Sequence, residues 1–224
     1  MNIKFGTDGW RAVISDTFTF ANVRLVGQAI ADYLRENNPN DDNAVVIGFD
    51  TRFLSDRYAT EIAMAMAGNG ITAWLTRADC PTPAISYNIV HKKANMGIMI
   101  TASHNPPRYN GLKLKAHYGG AFTKNETQKV AHHVQTIYSS NKQPELMNYQ
   151  QAIDKKLIRR FDPAWSYYEH LTTNLIDLDI ISAGEMTVVA DGMFGSGRGA
   201  FSELLSRKGE QYPCSCRLSY RWRC

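Results

Sequence analysis

The run Ala44-Val45-Val46-Ile47-Gly48-Phe49 carries no polar side chain. A strand with one face in water alternates apolar and polar residues, whereas an unbroken β-branched run has both faces covered, as in the parallel sheets of α/β proteins. Ile71 to Leu75 and Met96-Gly97-Ile98-Met99-Ile100 repeat the pattern, and helical segments separate the runs. From about Phe20 to Arg35, the residues Val23, Val26, Ile30, Tyr33 and Leu34 share one face at helical spacing. A second helix is expected from Ser55, read as its N-cap, through Ile62, Ala63 and Met66 to Gly68-Asn69-Gly70, and a third from Pro81 to about His91. Leu112-Lys113-Leu114-Lys115 alternates like a strand, and Val130, Val134 and Ile137 line one face of a helix from Glu126 to Tyr138. The expected fold class is therefore α/β, a mixed, mostly parallel sheet sandwiched by helices. Ligands in that architecture gather beyond the carboxyl ends of the strands.

Composition narrows the function classes. With 44% hydrophobic and 21% charged residues in 224, the chain can bury a core and is neither a disordered nor a membrane type. No apolar stretch approaches the roughly 18 residues that span a bilayer. The opening Met1-Asn2-Ile3-Lys4-Phe5-Gly6 has no apolar run with a cleavage site, so the expectation is a cytoplasmic protein with no membrane partner. The net charge of +4 is spread among acids, which argues against nucleic acid as a partner. Three of the four cysteines, Cys214, Cys216 and Cys224, sit with Arg207, Lys208, Arg217, Arg221 and Arg223 near the C-terminus; their spacing is not that of a zinc knuckle.

The chain divides, on this reading, into a first domain over 1–140, a linker over 141–162, an incomplete second domain over 163–209 and an atypical Cys/Arg-rich tail over 210–224. Pro163 to Ile176 resumes a helical pattern, Met186 to Asp191 reads as a strand entering the glycine-rich turn Gly192-Met193-Phe194-Gly195-Ser196-Gly197, and Ala200 to Leu205 reads as a helix. One strand and one helix do not close a sheet.

The chemistry is concentrated where the strand ending at Ile100 stops in Thr101-Ala102-Ser103-His104-Asn105-Pro106-Pro107-Arg108-Tyr109-Asn110-Gly111 and resumes at Leu112-Lys113. A polar, proline-stiffened loop at a strand end presents its side chains at the ligand edge of the sheet. A serine hydroxyl beside His104, with Arg108 and Lys113 nearby in sequence, has the donors and cations that hold a phosphoryl group; the alternative is a capped surface turn built from common turn residues. His132 and His133 are adjacent on a helix, face different directions and do not share a metal. Arg52 reads as the partner of Asp50 or Asp56.

Thr-Ala-Ser-His-Asn-Pro followed by Asn-Gly-Leu-Lys resembles the phosphoserine loop of the α-D-phosphohexomutase family of phosphoglucomutases and phosphomannomutases. Phe5-Gly6-Thr7-Asp8-Gly9-Trp10-Arg11, Gly48-Phe49-Asp50-Thr51-Arg52 and Asp191-Gly192-Met193-Phe194-Gly195 resemble further signatures of that family in the expected order, over about residues 1 to 209. The resemblance implies an isomerase acting as an intramolecular phosphotransferase of carbohydrate metabolism, interconverting hexose 1-phosphate and hexose 6-phosphate. Ser103 would be the phosphorylated serine, His104 and Lys113 would assist proton transfer or stabilise the transferring charge, and Arg11 would orient phosphate, with Arg11 and Lys113 also binding substrate. It implies a hexose phosphate as the small-molecule partner, a sugar bisphosphate as activator, and Mg²⁺ held by the phosphate on Ser103 together with an aspartate-rich loop.

That loop, Asp-Gly-Asp-x-Asp-Arg, does not occur in this sequence, nor do the family's sugar-recognition loop and C-terminal phosphate-binding loop. The expectation is a truncated or frameshifted member with impaired turnover, or a genuine alternative C-terminus. The alternative function is a non-catalytic fragment of the same fold that binds a phosphosugar or a partner protein. Neither the preferred hexose nor the oligomeric state is readable from the residues.

Overall fold

Apolar runs and amphipathic helices assemble, in the computed structural model, into a seven-stranded mixed sheet with helices on both faces. The structure describes residues 3–6, 9–39, 42–177, 180–181, 189, 191–200 and 203–204. In chain order the first unit, residues 1–163, runs β1 (Phe5–Gly6), β2 (Gly9–Val13), α1 (Phe20–Asn37), β3 (Ala44–Phe49), α2 (Ser55–Gly68), β4 (Thr72–Thr76), α3 (Thr82–His91), β5 (Met96–Ile100), β6 (Tyr109–Ala116), α4 (Lys124–Ser139), α5 (Tyr149–Asp154) and β7 (Ile158–Phe161). The strand order is β1-β2-β6-β5-β3-β4-β7; β5, β3, β4 and β7 are parallel, while β6 pairs antiparallel with both β5 and β2.

Pleating sends alternate residues of each strand to opposite faces. On one face Val45, Ile47, Ile98, Ile100, Leu112 and Leu114 join Val26, Ile30, Ile62, Met66, Val130 and Val134 of α1, α2 and α4 in the main core. α1 and α2 approach closely because Gly27 lacks a Cβ, which would stand 2.8 Å from the Cβ of Ala65. On the other face α3 packs into gaps left by Gly48 and Gly97, whose added Cβ atoms would fall 2.4 Å from Ile85 Cδ1 and 2.3 Å from Ile89 Cδ1. Beside the first strands, Trp10, Phe18 and Tyr58 stack with ring centroids 4.6 and 4.8 Å apart, and the Tyr58 hydroxyl donates to the Phe18 carbonyl at 3.2 Å. This aromatic cluster anchors β2 to α2, and with β2 the segment that carries Arg11.

Three local differences from the sequence reading have physical reasons. The N-cap of α2 is Leu54, at φ 61°, and Ser55 is the first helical residue; its hydroxyl donates to Asp50 instead of capping. α4 begins at Lys124, two residues before the expected Glu126, because Thr123 and Glu126 form a reciprocal capping box. Residues 141–162, expected as a linker, contain α5 and β7: Ala152 and Ile158 enter the core and β7 pairs in parallel with β4. The first unit therefore continues to Pro163.

The second unit, residues 164–224, holds α6 (Ala164–His170), which runs on as a single π-helical turn over Leu171–Leu175. In its glycine-rich stretch the left-handed residues are Met193, Phe194 and Gly199. The expected strand Met186 to Asp191 lies largely outside the described residues, the expected helix over 200–205 lies partly so, and the tail over 210–224 lies entirely outside them.

Candidate active site

The connections of the sheet single out one place on its edge. From β3 the chain crosses through α2 to β4 on one side; from β4 it returns through α3, on the opposite face, to β5 on the other side of β3. Adjacent parallel strands whose connections leave in opposite directions open a crevice beyond their carboxyl ends, and that crevice lies between β3 and β5. Two loops meet there, residues 50–54 after β3 and residues 101–108 after β5.

Ser103 is exposed and sits at φ 56°. An L-residue in the left-handed region costs about 1–2 kcal/mol, and the turn that imposes it is closed by the Asn105 N–H donating to the Ala102 carbonyl at 3.1 Å. Glycine is the usual occupant of a first central turn position with positive φ. Here a serine holds it, with its own N–H tied to Thr101 Oγ1 at 2.9 Å. Thr101 and Ala102 are buried, so the exposed hydroxyl stands on a fixed base. His104 Nδ1 lies 3.5 Å from Ser103 Oγ, at the outer limit of a hydrogen bond.

The loop is held chiefly by Arg52, which sequence reasoning had assigned only to an ion pair. Its Nη2 donates to the carbonyls of Ser103 at 2.7 Å and Asn105 at 2.5 Å, and its Nη1 to those of Pro106 at 3.0 Å and Tyr109 at 2.9 Å. The expected pairing with Asp50 is present at 3.5 Å, while Asp56 pairs with Arg57 at 3.6 Å. Asp50 Oδ1 in turn accepts from the Arg52 N–H and the Ser55 hydroxyl, and buried Asn110 donates to Ser55 Oγ at 2.9 Å and to the Phe53 carbonyl. The two loops are thereby one hydrogen-bonded unit.

Arg11 and Lys113 reach this region from neighbouring strands. Arg11 pairs in register with Gly111, so Arg11, Gly111 and Lys113 share the α3 face of the sheet. Arg11 Nη1 donates to Asn105 Oδ1 at 3.0 Å, a second side chain that tethers the loop. Gly111 leaves the room for this: a Cβ there would meet the carbonyls of Thr101 and Trp10 at 2.7 Å and Arg11 Cγ at 2.9 Å. Lys113 is half-buried and lies about 7 Å further along β6 on the same face. Of the residues expected in the site, Ser103, His104 and Arg11 are brought to the loop, and Lys113 is placed on the face leading to it. Thr7 and Asp8 of the N-terminal signature lie outside the described residues. His133 pairs with Glu36 at 2.9 Å and His132 is exposed, away from the crevice.

The donors here do not fit Mg²⁺. That ion takes oxygen ligands in near-octahedral order, and the carboxylate on the crevice loops, Asp50, has both oxygens engaged by Arg52 and Ser55. Among the described residues no group of three or more His, Cys, Asp or Glu side chains converges to hold a metal. No described helix is long and apolar enough to cross a membrane.

The segment that builds this crevice has counterparts in known proteins. Residues 2–141 match the family model described as "Phosphoglucomutase/phosphomannomutase, alpha/beta/alpha domain I". A phosphoglucomutase of Staphylococcus saprophyticus is 40% identical over 141 residues, covering 60% of this chain and 25% of that protein. A phosphoglucosamine mutase of Prochlorococcus marinus is 38% identical over 130 residues, covering 58% of this chain and 28% of its own length. A solved structure from Thermus thermophilus, described as a phosphomannomutase, superposes with a TM-score of 0.82 at 32% identity over 97% of this chain and 45% of that one. The chain thus spans under half the length of each of these proteins. The match over more than half of its residues, on the segment that builds the Ser103 crevice, places the chain in the phosphoglucomutase/phosphomannomutase family.

Proposed function

We propose that this chain supplies the phosphoserine part of a phosphohexomutase, with Ser103 as the carrier of the phosphoryl group. The observation that carries the reading is the exposed Ser103, held in the left-handed region at the β3/β5 crevice where turn chemistry alone favours glycine. In the reaction a free hydroxyl of a hexose monophosphate attacks the phosphorus of phosphorylated Ser103. The P–Oγ bond breaks, a P–O bond to the sugar forms, and the sugar hydroxyl gives up its proton. His104, next to Ser103 Oγ, is the group placed to move a proton at that atom. Arg11 orients phosphate, and Lys113 stabilises the transferring charge or passes a proton. The sugar bisphosphate so formed turns over and returns its other phosphate to Ser103, so the net change is isomerisation between 1- and 6-phosphates. A phosphoryl group passes between similar oxygens, so positioning and charge neutralisation carry most of the catalysis.

The relatives are named for glucose, glucosamine and mannose phosphates, and the substrate is accordingly proposed as a hexose phosphate class. A sugar bisphosphate charges the serine. Intact-mass analysis after exposure to glucose 1,6-bisphosphate tests the reading: one phosphate is expected on the native chain and none on Ser103→Ala. A native chain that stays unlabelled overturns the carrier role. The misfit of the donor set to Mg²⁺ favours a second reading, a phosphosugar-binding chain that does not turn substrate over. Sustained conversion of glucose 1-phosphate by this chain excludes it.

A further inference from the structure

We propose that Arg52 is the positioning residue of the Ser103 loop, a guanidinium that turns the loop's carbonyls away from the crevice so that hydroxyl and N–H face incoming phosphate. The proposal rests on the reading of Ser103 as phosphate carrier. Arg52 itself touches no reacting atom.

Three carbonyls of one short loop, those of Ser103, Asn105 and Pro106, converge with that of Tyr109 at the start of β6 on one guanidinium. In a trans peptide unit the C=O and the following N–H point in opposite directions. With the Ser103 carbonyl bound at 2.7 Å to Arg52, the His104 N–H is directed to the other side, and it has no hydrogen-bond partner among the described residues. The next two bound carbonyls, of Asn105 and Pro106, precede Pro106 and Pro107, which have no N–H to satisfy. The prolines subtract donors and Arg52 supplies them, so the carbonyls of Ser103, Asn105 and Pro106 are held on a cation and turned from an incoming anion. A phosphate on Ser103 then meets a donor where a carbonyl would repel it.

Arg52 is itself fixed. Its side chain is 14% exposed and that of Asp50 12%, so their interaction is only weakly screened. Asp50 also ties Ser55, which ties Asn110 at the start of β6, and the β3 loop and Ser103 loop hold each other from both ends. A lysine offers three donors from one point and does not span four carbonyls as the planar five-donor fork does.

The test follows Ser103 phosphorylation by intact mass at graded glucose 1,6-bisphosphate, giving a limiting rate and a half-saturating concentration. For Arg52→Ala the limiting rate should fall about 100-fold, the scale of an ångström-level misplacement, with half-saturation changed by less than about threefold. Arg52→Lys, which keeps the charge and preserves folding, should recover no more than about a tenth of the native rate. Native limiting rates in either variant overturn the proposal, as does a raised half-saturation at unchanged limiting rate, which would make Arg52 a phosphate ligand. If the native chain takes up no phosphate, the carrier reading fails first, and amide hydrogen exchange decides for Arg52. Lost protection at Asn105 and Tyr109 in Arg52→Lys, with β5 retained, supports the clamp, and unchanged protection overturns it.

Discussion

The two ends of the sheet differ in a way that volume alone would misjudge. Where β3 and β5 begin, Tyr33, Asn38, Lys93, Asn95, His117 and Glu126 are among the residues lining a cavity of about 550 Å³. Where the same strands finish there are two short loops and an exposed serine. Each end carries a non-glycine residue in the left-handed region, Lys93 at φ 52° and Ser103 at φ 56°. Local structure accounts for the first. Lys93 follows the C-cap of α3, the Ala94 N–H donates to the Ile89 carbonyl at 2.9 Å and the Lys93 N–H to that of Val90 at 3.1 Å, the bonds of a Schellman termination. Nothing comparable asks for Ser103: no helix ends there, and its turn would be easier for glycine. Strain explained by helix termination marks architecture, and strain at a switch point without such a reason marks the site.

The largest effect that separates the two ends is expected from Ser103→Gly. Phosphate uptake from glucose 1,6-bisphosphate, read by intact mass, should vanish. Stability should hold or rise by up to about 1 kcal/mol, because relief of the left-handed conformation slightly exceeds the entropy cost of glycine. A variant that still accepts phosphate on the loop, or that loses stability, removes the reason for treating this strain as functional. Next in size is Gly111→Ala. Its Cβ would press at 2.7 Å on the carbonyls of Thr101 and Trp10 and at 2.9 Å on Arg11 Cγ, and overpacking of that kind should cost about 2–3 kcal/mol in denaturant unfolding. Because the clash also displaces Arg11 from Asn105, phosphate uptake should slow. Normal uptake at reduced stability would show that the Arg11 tether serves the fold alone.

The same contrast explains what the residues disclose by themselves. β3 and β5 are legible because their runs are apolar throughout, and α1 because its apolar positions keep helical spacing. β2 is hidden by the glycines around it, although Gly9, at φ 103° and with a Cβ that would stand 2.0 Å from the Leu112 carbonyl, is there to let β2 lie close beside β6. β7 is hidden by its own arginines, Arg159 and Arg160, with Ile158 and Phe161 as its buried residues. In the candidate site, Ser103 and His104 are legible because the proposed chemistry rests on their side chains. Arg52 is not, because its partners are backbone carbonyls and a carbonyl leaves no mark on a sequence. The signal available was indirect: two consecutive prolines leave a loop short of N–H donors, and a nearby arginine after the adjacent strand is the residue that can replace them.

At the other end the expected effects are on stability alone. Thr123→Ala removes the hydroxyl that accepts from the Glu126 N–H at 3.3 Å and half of the capping box beside the large cavity. It should cost about 1 kcal/mol in denaturant unfolding and leave phosphate uptake unchanged. A parallel loss of uptake would mean that the cavity end communicates with the crevice, and the separation of the two ends would fail.

Lys93→Gly is the closest counterpart to Ser103→Gly, the same backbone relief at the opposite end of the sheet. Lys93 occupies the position after the C-cap that helices most often give to glycine, and its side chain is exposed, so the substitution removes strain without opening the core. Thermal unfolding should shift upward by an amount corresponding to about 0.5–1 kcal/mol, the difference between left-handed strain and the entropy cost of glycine, while uptake of phosphate stays at the native rate. The pair is more informative than either variant. If both glycines stabilise and only the one at 103 abolishes uptake, left-handed strain is a common structural expense that becomes functional through its place at the β3/β5 crevice. If Lys93→Gly also impairs uptake, the chemistry depends on how α3 ends and not only on the loops at its far side.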